Sequence, residues 1–198
     1  NGPTPEQRIL HLGGWSECAA QYKGTAYAKD VLVNQGHVQN CLIFVKEGLE
    51  NFVFPIPDQP AKNNQDACTF APRIMAVQTG QLIRYLNSDS MAHNVHGFPK
   101  ESRDWNFSLG RKGAVRDIVI NAPELAVEVK CDIHGWMRSY LSIFDHPYFV
   151  FTDSAGSFTL KNLPAGDYVL GAWHERFGEQ YTNVSVPENG DTQVKFIF

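Results

Sequence analysis

Cys131-Asp132-Ile133-His134-Gly135-Trp136-Met137 sets a thiol, an imidazole and a thioether at the spacing C-x-x-H-x-x-M. As ligands these are a soft anionic sulfur, a borderline nitrogen and a weak soft sulfur. Two histidines, one cysteine and a distant axial methionine are the donor set of an electron-transfer copper centre, so the motif asks for one more histidine. His93 offers it, inside Met91-Ala92-His93-Asn94-Val95-His96. Zinc is the alternative occupant, because one Cys and two His can hold it with water as a fourth ligand. Methionine is a poor zinc ligand, and its place on this loop favours copper. The bland alternative is packing: a buried free cysteine beside a core methionine is ordinary.

The elements that must position these groups are strands. Ala126 to Lys130 reads A-V-E-V-K, which puts Val127, Val129 and Cys131 on one face and Glu128 and Lys130 on the other. Cys131 thus arrives at a strand end pointing inward, and the six residues after it fold back as a loop that brings His134 and Met137 to the same metal. Leu82 to Leu86 leads through Asn87-Ser88-Asp89-Ser90 into the His93 segment. With Ile74 to Val77 it flanks the turn Gln78-Thr79-Gly80-Gln81 and reads as a hairpin.

His-Asn-Val followed some tens of residues later by C-x-x-H-x-x-M resembles the cupredoxins, and the short ligand loop is most similar to that of amicyanin. The resemblance implies a Greek-key β-sandwich with one type 1 copper held by His93, Cys131, His134 and Met137. It assigns the first-ligand role to the His of His-Asn-Val, which leaves His96, Asn94 and Asp132 as the neighbours of the ligands. In many cupredoxins the residue after the ligand Cys is Ser or Thr and bonds the Asn of His-Asn-Val. Here it is Asp132, which places that cross-loop bond in question. The resemblance further implies that His134 reaches solvent through an apolar patch serving as an electron port, with Trp136, Phe98 and Pro99 as its rim.

The whole chain has 198 residues, 43% hydrophobic and 12% aromatic, enough for a real core in one large or two small domains. Its net charge of −4 and the lack of a basic stripe beyond Arg111, Lys112 and Arg116 argue against nucleic acid as a partner. No apolar run approaches the roughly 18 residues that a spanning helix needs. The chain begins at Asn1, as a processed secreted chain would, with a signal peptide removed. If Cys131 binds metal, three cysteines remain, allowing one disulfide and one free thiol. Cys41 lies in the apolar run Cys41-Leu42-Ile43-Phe44-Val45, where a small buried thiol is unremarkable, whereas Cys18 and Cys68 lie in polar, loop-like surroundings. The expected pair is Cys18 with Cys68, with Cys41 as the competing partner. Such a bridge places the chain in an oxidising compartment, periplasmic or extracellular.

Residues 1–30 are rich in Gly and polar residues and read as an extension or edge, with only Arg8 to Leu12 strand-like. Val31 to Val33 and Val38 to Val45 read as strands of the first sandwich. Prolines 55, 57 and 60 exclude a central strand over 52–60, and residues 50–72 read as a long excursion beside the metal-bearing domain. Val115 to Ile120 and Tyr140 to Phe144 complete that sandwich. No segment sustains a capped helical period.

From about Asp145 the pattern changes to short strands, at 148–152, 157–160, 168–173, 182–186 and 193–198, separated by Gly, Pro and Asn turns. The run from Thr152 to Leu170 resembles the carboxypeptidase regulatory-like, or transthyretin-like, small β-sandwich. The fold expected is therefore all-β: a cupredoxin-like copper domain with an N-terminal extension over 1–145, then a small sandwich over 146–198. That combination resembles secreted bacterial proteins described as plastocyanin-like or methylamine-utilisation-like. Trp173-His174-Glu175 opens like a zincin helix, but Gly178 stands where the second ligand should be. His96, His146 and His174 are candidates for a second metal site. A haem-attachment C-x-x-C-H is absent, as is the second loop cysteine of a binuclear copper centre. Four protein ligands would leave no open position for substrate, so the expected function is a one-electron carrier and not an enzyme. A c-type cytochrome or a periplasmic dehydrogenase is the expected partner class, since redox encounters use small interfaces. The competing functions are copper delivery and a structural module with a non-redox metal.

Overall fold

Alternation of apolar and polar residues at period two recurs along this chain, as over 127–131, and strands are what it dictates. A computed structural model describes residues 5–198; Asn1 lies outside the described residues. In chain order the elements are α1 (Ser16–Ala19), β1 (Val33–Asn34), β2 (His37–Val38), β3 (Leu42–Glu47), β4 (Ala61–Asp66), β5 (Thr69–Ala71), β6 (Ile74–Gln78), β7 (Ile83–Asn87), β8 (His93–Phe98), β9 (Trp105–Leu109), β10 (Val115–Ile118), β11 (Glu124–Lys130), β12 (Arg138–Phe144), β13 (Phe149–Phe151), β14 (Gly166–His174) and β15 (Gly178–Val186). Among the described residues the fold is all-β apart from the single turn of α1. Among the described residues no helix is long and apolar enough to cross a membrane.

The chain forms two compact units, one from residues 9–27 and 54–147 and the other from residues up to Arg8, 28–53 and 148–198. The first carries the candidate ligands. It has one sheet ordered β10-β7-β4-β5 and another ordered β6-β12-β11-β8-β9. Ile83 and Tyr85 from the first sheet and Val95, Val129, Leu141 and Ile143 from the second share one core, which makes the pair a sandwich. On β11 the expected inward face is observed: Val127, Val129 and Cys131 are buried. On the other face Glu128 pairs with Lys130 at 2.6 Å and Arg138 at 2.8 Å.

Two features of this unit differ from the sequence expectation. β6 and β7 are not a hairpin: β6 pairs in parallel with β12, while β7 pairs with β10 and β4. The Gln78–Gln81 turn, closed by Gln81 N–H to Gln78 O at 3.0 Å, carries the chain from one sheet to the other. The same turn residues serve either connection, and only pairing distinguishes them. Residues 61–71 are not an excursion but β4 and β5, with β4 central. Its sequence A-K-N-N-Q-D hides the strand because the inward positions are amides. Asn63 donates to Pro72 O at 2.8 Å and Gln65 to Asn94 O at 2.9 Å, which offsets part of the cost of burying them.

In the other unit one sheet runs β13-β3-β14-β15. β3 thus belongs here and not in the first sandwich, and the two units do not correspond to a cut at residue 145. Leu42 to Val45 are all buried, as a central strand with both faces covered requires. A continuous apolar run of this kind announces a central strand without saying whose. Residues 157–160 and 193–198 form no named strands, yet Phe158, Leu160, Phe196 and Phe198 pack on Cys41, Ile43 and Ala172. Cys41 is a buried free thiol, pushed up to about 11 mainly by burial.

Aromatic rings lie over glycines in both units: Trp105 opposite Gly97 and Phe44 opposite Gly171. A Cβ on Gly97 would come 2.1 Å from the Trp105 ring. Gly97→Ala should therefore destabilise the protein by roughly 1–3 kcal/mol, the usual cost of overpacking. A urea midpoint equal to that of the parent chain would show that Trp105 is free to move aside.

Candidate metal centre

β8 and the loop after β11 converge at the inner end of the sandwich. The inward face of β8 carries His93, and the end of β11 delivers Cys131. Two backbone bonds close the loop: Met137 N–H donates to His134 O at 2.8 Å, and Cys131 N–H to Met137 O at 3.2 Å. As a result His93, Cys131, His134 and Met137 are each no more than 2% exposed.

The ligand atoms of His93, Cys131 and His134 all lie within 4.8 Å of one another. His93 Nδ1 and His134 Nδ1 are 2.9 Å apart, and Cys131 Sγ is 3.7 Å from His134 Nδ1. Both separations are shorter than two metal–ligand bonds of about 2.0–2.3 Å laid end to end, so one ion could touch both members of each pair. The Asn94 N–H points at Cys131 Sγ at 3.5 Å, a donor suited to a thiolate. His134 Nε2 is buried and has no hydrogen-bond partner. Burial is the main reason the His134 pKa falls to about 4, with neighbouring His93 adding to it and Asp89 opposing. A neutral imidazole is the form that binds metal.

Asp132 makes the cross-loop bond and strengthens it. Its N–H donates to Asn94 Oδ1 at 2.6 Å, and its carboxylate accepts from Asn94 Nδ2 at 2.7 Å and from Asn106 Nδ2 at 3.0 Å. His96 Nδ1 lies 3.0 Å from the same carboxylate. Desolvation works to raise the Asp132 pKa, but these hydrogen bonds outweigh it and hold the carboxyl below its ordinary value. The Asp132 carboxylate thus gathers three side chains, those of Asn94, Asn106 and His96.

The solvent access expected for His134 is not observed. His134 is 0% exposed, because Trp15 covers it with a ring 4.3 Å away in an edge contact, while Trp15 itself is 41% exposed. Trp136 does stand beside His134 at 5.3 Å, and its indole N–H donates to Cys68 O at 3.0 Å. Phe98 packs elsewhere. Phe98 shares the outer face of β8 with His96, at a ring distance of 4.0 Å. Five residues of strand, roughly 16 Å, separate it from His93. His96, His146 and His174 are each engaged elsewhere: His96 with Asp132, His146 stacked on Phe144, and His174 buried and stacked on Phe177.

Two residues near the site stand outside the expected set. Trp15 precedes α1, which the expected disulfide fixes: Cys18 is bonded to Cys68. Nothing in the sequence links a tryptophan in a polar extension to a loop more than a hundred residues away. Asp89 lies buried with Oδ2 2.9 Å from His93 Nε2. An acidic residue four positions before a ligand histidine is the available signal.

No protein-family model matches the chain, and no curated protein does. Solved structures do. A copper-containing nitrite reductase from Thermus scotoductus SA-01 is 16% identical with a TM-score of 0.42, over 46% of this chain and 24% of that one. The present chain thus spans about a quarter of that enzyme. An oxidised mutant of amicyanin is 14% identical with a TM-score of 0.39, over 58% of this chain and 98% of that one. A purple cupredoxin from Nitrosopumilus maritimus is 17% identical with a TM-score of 0.36, over 42% of this chain and 98% of that one.

The depressed His134 pKa carries a sign for the metal-free protein. Between about 6.5 and about 4 the unfolded chain holds a proton at this position that the folded chain does not. Its contribution to stability is therefore present above 6.5 and lost as pH falls through that window. Urea midpoints of the metal-free protein should drop between pH 7 and pH 4.5, and less steeply in His134→Gln. Equal slopes in the two proteins would remove His134 as the cause.

Proposed function

We propose that this chain is a mononuclear copper protein that carries single electrons between redox partners outside the cytoplasm. The observation that carries this reading is the buried cluster of His93, Cys131 and His134, two imidazoles and a thiol with their ligand atoms within 4.8 Å. Met137, buried at the end of the same loop, is the weak fourth donor. Copper, when bound, supplies reversible one-electron exchange.

The residues do the rest. Cys131 is presented as a thiolate ligand by the inward end of β11, with the Asn94 N–H supporting its charge. His93 and His134 are held on opposite sides by a strand and a closed loop, so little has to move when the charge of the site changes. The Asn94–Asp132 bonds keep strand and loop in register. Trp15 and Trp136 exclude water from His134. With His134 covered, the partner's contact falls on Trp15 and Trp136, and a c-type cytochrome or a periplasmic dehydrogenase is the partner class. Four protein ligands leave no coordination position for a substrate, which makes the chain a carrier and not an enzyme. The Cys18–Cys68 bridge supports an oxidising, periplasmic or extracellular location.

The test is the visible spectrum of the full chain loaded with Cu(II), before and after ascorbate. An intense thiolate-to-copper charge-transfer band that bleaches and returns on reoxidation is expected, and Cys131→Ser should lose it together with most of the copper affinity. A folded, copper-saturated protein without such a band would refute the assignment and return the site to zinc or to packing.

A further inference from the structure

Asp89 is 4% exposed, and every group around its carboxylate is arranged to give it a hydrogen bond. Oδ1 accepts from the Ala67 N–H at 2.9 Å and from Gln21 Nε2 at 3.2 Å. Oδ2 accepts from the Cys68 N–H at 2.8 Å and faces His93 Nε2 at 2.9 Å. A carboxylate has about four acceptor positions, and here all of them are used.

The two backbone donors are set by an unusual turn. Ala67 and Cys68, between β4 and β5, have φ of 50° and 52°, a left-handed pair that glycine or asparagine would ordinarily supply. Keeping Ala and Cys there costs free energy, and such positions persist where the surroundings over-determine them. The surroundings are the Asp89 carboxylate on both N–H groups, the bridge from Cys68 to Cys18, and Tyr22, whose hydroxyl donates to Ala67 O at 2.8 Å. Asp89 is fixed from its own side as well. Its N–H donates to Asn87 Oδ1 at 2.9 Å, and Asn87 Nδ2 donates to Met91 O and Leu109 O, each at 2.8 Å.

Backbone amides can only donate, so the carboxylate is left to accept from His93 as well. His93 then carries its proton on Nε2 and turns the lone pair of Nδ1 toward His134 and Cys131. We propose that Asp89 is the positioning residue of the metal centre: through Nε2 it fixes the tautomer and ring orientation in which His93 Nδ1 is a ligand, and the disulfide-anchored Ala67–Cys68 turn holds Asp89 in place to do so. Carboxylates in this position behind a ligating histidine also raise its basicity. The proposal rests on the copper reading above, but its first consequence belongs to the metal-free protein. There, His93 Nδ1 has no proton, so the 2.9 Å contact between the two Nδ1 atoms requires His134 to donate.

Long-range proton–nitrogen NMR of the metal-free full chain at neutral pH reads both tautomers directly. The Nε2–H form is expected for His93 and the Nδ1–H form for His134; His93 in the Nδ1–H form would overturn the proposal. Asp89→Asn and Asp89→Ala, checked for folding by the same spectra, should mix the His93 tautomers and weaken Cu(II) binding in chelator competition by about 10–100-fold. A folded variant with the parent affinity and an unmixed tautomer would show that Asp89 is only a structural brace. Should the parent chain bind no copper at all, the copper reading falls and the metal role of Asp89 with it, while the tautomers still report whether the carboxylate sets His93.

Discussion

Two imidazoles and a thiol are buried at one end of an apolar sandwich, with no solvent to satisfy them. Leaving a polar group unpaired in such a place costs on the order of 1–3 kcal/mol. These groups satisfy each other only in part: the two Nδ1 atoms share one contact, and His134 Nε2 has none. A cation is the single partner that would engage all three ligand atoms at once. The surrounding unit is built to keep that cluster together. Removal of water adds a further effect, since burial lowers the His134 pKa and so keeps the ring neutral over most of the pH range.

Preorganisation comes from polar links that run across the elements and not along them. β8 is tied outward by Asn94 and His96 to Asp132 on the ligand loop, and inward by Gln65, whose amide reaches Asn94 O from the opposite sheet. His93 itself is backed by Asp89. Each of these side chains is hydrogen-bonded to a neighbouring segment, so the positions of the candidate ligands are set by the fold. A site held in this way suits a function that needs small reorganisation, and it suits one that must refuse metals preferring other geometries.

The sequence is most readable where one strand decides the outcome. Val127, Val129 and Cys131 alternate cleanly with charged residues, and that alternation alone marks their inward face. The polarity of the segments holding Cys18 and Cys68 singles out that pair against Cys41 in its apolar strand. What is illegible depends on contacts between distant segments. β4 buries Asn63 and Gln65, so its period-two pattern is present but written in amides, which look like loop residues. The Gln78–Gln81 turn carries no mark that distinguishes a hairpin from a passage between sheets. Trp15 over His134 and Asp89 behind His93 are tertiary meetings, and only the second leaves a trace, in its spacing of four.

The division into units follows from the same limit. β3 is apolar at four successive positions, Leu42 to Val45, because β13 and β14 flank it and both its faces are covered. Both flanking strands come from beyond residue 148, more than a hundred residues later. A chain ending at residue 145 would keep β3 and lose its two neighbours, exposing a flat apolar strand with two open edges, the arrangement most prone to aggregation. The unit with the candidate ligands is therefore an insertion, in two segments, within the chain of the other. Its boundaries at Ile9, Tyr27, Phe54 and Pro147 are crossings between units. Loop closure over such lengths adds little cost as length grows. The composition change near Asp145 lies close to Pro147, where one segment of that unit ends. What it cannot mark is that the segment beyond it has a partner waiting at residue 42.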